Sequence, residues 1–332
     1  MSCLIGDKMV SEKERIEKLR LTVGTRIRGQ VLEEYYVSFK NWVPFIESGG
    51  YGPLDEEGIP LVDYSADPRM KGLAPVYFAV TVAQYALGVF ELWLNTGLLA
   101  YRQKFLKLAR WLELQAEPTS HGVLVWPARY DFPVYGLRAP WISSMAQSQA
   151  ASVLLRAHQI ENRGEPREVA SKAMAAFYIP AGEPGGVRYV DSQGSVWFEE
   201  YLTDPPAHVL NGFIFSLFGL DELSRAASDD AARQAWNDGV LTLERNLHRY
   251  DTGYWSRYDL LRDCVASDFY HVNIHVPLLK ALHSITGRDI FIDFANKWER
   301  YSDSAVCRLR AKCYKLPSRA VRKFTRICRE TR

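Results

Sequence analysis

The sequence predicts an all-α protein: an α/α barrel of about four helical hairpins, with short β-hairpins at one rim and an irregular N-terminal segment. Three observations carry that expectation. Apolar residues recur at spacings of three and four in eight windows, and the windows fall into successive pairs. The connections between pairs also share a weak repeat, Gly then Trp then Tyr, in "GVLVWPARYDF", "GSVWFEEYLTD" and "TGYWSRYDLL". Helical hairpins that cannot bury their apolar faces alone must stack, and similar connections returning to one rim favour a closed ring over an open solenoid. With 332 residues, 47% of them hydrophobic and 13% aromatic, the chain can fill a large core.

The first twenty residues are charged throughout and hold no apolar run of the ~7 to 15 residues that a secretory signal needs, so the expected location is cytoplasmic. One amphipathic helix is expected near residues 10 to 21. Residues 25 to 68, rich in Gly, Pro and Tyr, read as irregular chain wrapping another body. The expected division is an N-terminal segment 1–68, a catalytic barrel 69–303 and a basic tail 304–332.

Helices are expected near 75 to 93, 101 to 115, 143 to 160, 166 to 178, 206 to 225, 229 to 247, 268 to 285 and 289 to 301. The first window is the most hydrophobic, yet it opens on Pro75 and carries Gln84 and Glu91, which suits a core helix better than a membrane span. Ser143 or Ser144 is placed to cap the third.

Five cysteines without paired spacing predict reduced thiols and no zinc site. Residues 307 to 332 hold ten Lys or Arg against Glu330 alone, a charge of +9 beside −7 on the rest of the chain. Such a tail could contact a polyanion or an anionic membrane surface, or stand as a solvated end.

Several side chains could carry chemistry. Glu199 and Glu200 suggest the acid–base pair of a glycoside hydrolase, but neighbours on a strand face opposite ways, so a hydrolase would need Asp251, Asp259 or Asp268 as partner. Tyr201, Tyr250, Tyr254, Tyr258 and Tyr270 crowd the connections. A phenol, with an ordinary pKa of ~10, becomes a base only beside cations such as Arg129, Arg257, Arg262 or His271. His271 and His275 have metal-ligand spacing but no third ligand, so a polar pocket wall is the better reading. Asn211 is an amide inside an apolar helix, and Gln147 and Gln149 could face a lumen.

Taken in order, "PVYFAVTVAQYALG", "WISSMAQSQAASVLLRA", "VWFEEY", "VLNGFIFSLFGL", "YDTGYWSRYDL" and "DFYHVNIHVPLLKAL" resemble the C-terminal domain of the D-glucuronyl C5-epimerases, over roughly residues 74 to 300. The resemblance implies an isomerase on an α/α barrel that inverts C5 of D-glucuronate to L-iduronate within a glycosaminoglycan-like chain such as heparosan, the precursor of heparan sulfate. It implies no nucleotide, nicotinamide or metal cofactor. Its motif residues fall on Tyr201, Tyr258 and Tyr270, with Glu200 as the second Glu of the first motif. Leu202, Ser148 and the "YDLLR" order depart from the family pattern, and the family's Arg could correspond to Arg262.

Substrate contacts are expected from Asn211, Gln147, Arg129, Tyr130, Glu199, Trp197, Arg262 and His271. The partner is an anionic polysaccharide rather than nucleic acid, and a homodimer is compatible with the sequence. Two groups must flank the ring, one taking a proton and the other returning one, with Tyr270 and either Tyr201 or Glu200 in those places. The same carbanion could instead expel the O4 substituent, which would make a polysaccharide lyase. A polysaccharide-binding module is the non-enzymatic alternative.

Overall fold

The computed structural model describes residues 18–26, 29–262 and 264–314. After the short helix α1 (Val43–Glu47) come α2 (Ala79–Thr96) and α3 (Leu99–Gln115), α4 (Ser144–Glu161) and α5 (Gly164–Met174), α6 (Leu210–Ala226) and α7 (Asp230–Asn246), then α8 (Val276–Thr286), α9 (Asp289–Asp303) and α10 (Ala305–Tyr314). The long helices form four successive packed hairpins, and α4 lies between α2 and α6. The first helix of each hairpin is the more buried, and its partner turns a polar face outward.

Local signals set the helix ends. Ser143 Oγ accepts the Ala146 N–H at the start of α4, and Asp229 Oδ1 accepts the Ala232 N–H at the start of α7. Pro205 and Pro206 delay α6 to Leu210, four residues past the expected start. The helix expected over 268 to 285 is two kinds of helix: Phe269–His275 is π-helical and only the continuation, α8, is α. That wider run carries one of the chemistry-bearing motifs, as π-helical turns often do.

Of the three rim connections, the first holds the ribbon β1 (Glu117–Pro118) with β2 (Leu124–Val125) and the second β3 (Arg188–Val190) with β4 (Val196–Phe198), both antiparallel. The third has only isolated bridges, Asp251 with Ser256 and Arg257 with Val265, and so departs from the expected hairpin. The indole N–H of Trp126 donates to Leu112 O of α3 and so fastens its connection to the helix beneath, whereas that of Trp197 donates to Asp191 and that of Trp255 to Ala266 O, each within its own connection.

The N-terminal chain joins the same core through Leu19, Tyr35, Tyr36, Phe39, Trp42 and Ile46. Trp42 meets Phe269 of the π-helical run at 6.1 Å, while Lys40–Trp42 packs on α2. Glu91, in the most hydrophobic window, is buried and ion-paired to Lys40 at 3.0 Å. Among the described residues no helix is long and apolar enough to cross a membrane. Cys264, Cys307 and Cys313 are free. The expected helix at 10 to 21 lies almost wholly outside the described residues, as does the tail beyond Tyr314.

Candidate active site

Three stretches converge on one cleft of about 890 Å³, its open mouth included: the chain after β4 brings Glu200 and Tyr201, the first turn of α6 brings Asn211, and the π-helical run brings Phe269, Tyr270 and Ile274. Thr81 and Gln84 of α2, with Phe132 and Met145, extend the wall. Trp42, Tyr51, Tyr64 and Asp67 of the N-terminal segment complete it. No lysine, arginine or histidine lines it among the described residues.

The adjacent glutamates diverge. Glu199 points away from the cleft: its Oε2 accepts the His208 backbone N–H at 2.9 Å and its Oε1 lies 2.6 Å from His208 Nδ1. The His208 ring stacks on Trp197 at 4.1 Å, and Tyr250 donates to the His208 carbonyl. Glu199 and Trp197 therefore clasp a loop whose left-handed residue, His208 at φ 49°, must be held by its neighbours. The substrate contacts expected of both residues are not offered by this placement.

Glu200 faces the cleft. Burial pushes its carboxyl up to about 8, a hydrogen bond with the Tyr201 side chain partly opposes this, and the charges of Glu199 and Asp259 add to the rise. Its Oε2 is buried with no hydrogen-bond partner among the described residues. A native structure rarely leaves such an oxygen without a reason, and a ligand is one. Gly212 makes the space: a Cβ there would stand 2.2 Å from Glu200 Oε2. Asn211, one residue earlier, has an unpartnered buried Oδ1 and spends its Nδ2 only on the Met145 sulfur at 3.9 Å.

The tyrosines form a connected set. Tyr201 stacks on Tyr135 at 4.2 Å, and Tyr258 meets Tyr270 edge-on at 4.7 Å. Tyr258 is buried beside the cleft, and burial followed by the charge of Glu200 holds its phenol well above the ordinary range. Tyr135 donates to Asp259 Oδ2 at 2.7 Å and accepts from Arg262, whose guanidinium also caps the Tyr135 ring at 4.0 Å. Arg262 is paired with Asp259 at 2.7 Å and thus braces Tyr201 from behind instead of lining the cleft.

Gln147 is fully buried and occupied: its Nε2 donates to Leu124 O and Ala173 O, and its Oε1 accepts from Trp126 N–H. It ties the first rim connection to α5 and is not in the cleft. His271 is likewise internal, with Nε2 against Trp298 O and Nδ1 against Ser256. Because a carbonyl only accepts, His271 carries its proton on Nε2, and Ser256 can donate to its Nδ1. Ser256 also meets His275 Nδ1 at 2.9 Å, so the histidine pair expected at a pocket wall is an internal brace. Among the described residues no group of three His, Cys, Asp or Glu is placed to hold a metal.

Arg129 and Tyr130 line a neighbouring groove, and the Tyr130 hydroxyl lies 3.1 Å from that of Tyr64 on the cleft wall. The residues missed from the sequence are Gln84, Tyr135 and the N-terminal contributors. Gln84 carried a signal, an amide in an apolar helix, while Tyr135, Tyr64 and Asp67 carried none apart from lying in loops.

Fold and site together define a helical protein with a cleft in which a buried carboxyl of raised pKa sits among phenols. The model of the D-glucuronyl C5-epimerase C-terminus matches residues 120–300, just over half of the chain. A D-glucuronyl C5-epimerase of Caenorhabditis elegans is 34% identical over 180 residues, 49% of this chain and 29% of that protein. An uncharacterized protein of Methanocaldococcus jannaschii is 27% identical over 208 residues, 60% of this chain and 67% of that one. The chain belongs to the D-glucuronyl C5-epimerase C-terminal family.

Proposed function

We propose that the protein inverts C5 of D-glucuronate to L-iduronate within a glycosaminoglycan-like polysaccharide, with Glu200 and Tyr270 as the proton-transferring pair. The observation that carries this reading is the buried, unpartnered Oε2 of Glu200 facing a cleft that Tyr270 also lines. The Glu200 carboxylate takes the C5 hydrogen as a proton, and the C–H electron pair moves into the sugar carboxylate as an aci-carboxylate. The Tyr270 O–H then delivers a proton to the other face of C5. Exchange with water resets both groups, so solvent hydrogen enters the product.

Developing negative charge must be met by donors already in place. With no cation on the lining among the described residues, the Asn211 amide is the donor nearest Glu200, while the Tyr201 hydroxyl is engaged with the Glu200 carboxyl. Tyr258 and the Asp259–Arg262–Tyr135 brace hold the phenols in register. We further read the four hairpins as a closed α/α barrel, with the Lys40–Glu47 stretch between α2 and the π-helical run as its closing stave. The contact of Trp42 with Phe269 supports that reading.

The test is incubation with heparosan in D₂O. Deuterium at C5 with an intact chain, lost in Tyr270→Phe and Glu200→Gln, is expected. An ultraviolet-absorbing unsaturated uronate would mean a lyase, and neither product would leave only a binding module.

A further inference from the structure

The groove beside the cleft is built as carefully as the cleft and has no part in the chemistry above. Tyr77, 44% exposed, and Trp111, half-buried, present ring faces 5.3 Å apart at 42°. The Tyr77 hydroxyl donates to Asp55 at 2.7 Å, which fixes the ring, and Trp126 forms the floor with its indole N–H held by Leu112. Arg129 Nη2 reaches both oxygens of Glu117 at 2.6 Å, and the pair stands at the open side. The groove holds about 820 Å³ with its mouth.

We propose that this groove is a second saccharide subsite, which holds a sugar next along the same chain while the cleft holds the target uronate; this rests on the epimerase reading above. Two features select the occupant. Continuity is one: Phe78 lines both cavities, and Tyr130 of the groove meets Tyr64 of the cleft hydroxyl to hydroxyl. A chain whose uronate sits at Glu200 therefore meets the groove with an adjoining residue.

Charge is the other. The Arg129 cation is neutralised by Glu117, so the groove offers no unopposed charge to an anion. It offers ring faces for the C–H face of a pyranose, and the free edges of an ion pair for its hydroxyls. The sugar it fits is uncharged, whereas the cleft beside it carries the acid–base pair that a uronate needs. The division assigns alternating sugar types to alternating sites and sets the register of the chain.

The test is calorimetric binding of heparosan oligosaccharides of increasing length to the full chain. In the wild type, affinity should rise about tenfold on passing from glucuronate alone to a trisaccharide with a central glucuronate, the worth of one good stacking contact. Trp111→Ala and the surface change Tyr77→Ala should abolish that gain, while Tyr77→Phe, which keeps the ring, should retain it. The gain should also survive raised salt, since an uncharged contact releases no counterions. A gain absent from the wild type, or unchanged in both alanine variants, overturns the subsite. Length-dependent binding without deuterium at C5 overturns the epimerase reading and leaves the groove standing.

Discussion

In the proposed reaction Glu200 can serve as the base because its environment makes its proton movable near neutral pH. A carboxyl pushed up to about 8 is mostly protonated at pH 7, and the base form that takes the C5 proton grows as pH rises. The forward pair, Glu200 ionised with Tyr270 protonated, and the reverse pair hold the same number of protons. Both directions must therefore share one ascending limb in kcat/KM, with its midpoint near 8. A rate that falls through that range in either direction would contradict the assignment. Gly212 gives a second, steric test. A methyl there would overlap the Glu200 carboxyl, so Gly212→Ala should cost about 1–3 kcal/mol of stability from overpacking and remove most C5 deuterium exchange, read by denaturant midpoint and NMR. The sequence singled out Glu200 through its motif and set it apart from Glu199 through strand alternation. It could not show Gly212 as the reason Glu200 fits, because that contact joins two elements and no local pattern records it.

Between elements, a fully buried ion pair ties α4 to α6. Arg156 and Glu222 are both buried and joined by two hydrogen bonds of 2.7 and 2.8 Å. The remaining guanidinium N–H groups reach Ser152 O, Glu33 O and Glu34 O, so the same side chain pins the N-terminal strap. Removing one partner leaves the other charged and buried, so Arg156→Ala should lose about 3–5 kcal/mol in urea unfolding. Arg156→Met with Glu222→Leu should recover much of that, because no lone charge remains. A neutral single variant would show that water reaches the site. Helix pairing was legible because the 3.6-residue period records which face is buried, and α4 is buried on nearly every side even though it carries Gln147, Ser148, Gln149, Ser152 and Arg156. The π-helical run was not, since its spacing of apolar residues passes for α over seven residues. Nor was the fate of Arg156, a charge inside an apolar window whose partner lies 66 residues away.

For the whole molecule, the striking of a boundary at residue 68 or at the edge of the family match gives different answers about where function resides. The match begins at residue 120, yet Trp42, Tyr51, Tyr64, Asp67 and Gln84 are among the cleft's lining residues, half of which come from chain before the matched region. Trp42 concentrates that contribution. It is 3% exposed, its indole N–H donates to Leu19 O, and its ring touches Phe39, Tyr51 and Phe269. Truncating a buried aromatic of this kind costs about 3–5 kcal/mol. The contact with Phe269 adds a second consequence, because the π-helical run that presents Tyr270 then loses its packing on that side. Trp42→Ala should lower both the melting temperature and turnover, whereas Trp42→Phe should recover stability ahead of turnover, since a ring still fills the core but no N–H holds Leu19. The decisive comparison is kcat at a temperature where both variants are folded. If Trp42→Ala keeps full turnover there, the N-terminal segment is a stabilising wrap and the catalytic wall belongs to the hairpins alone.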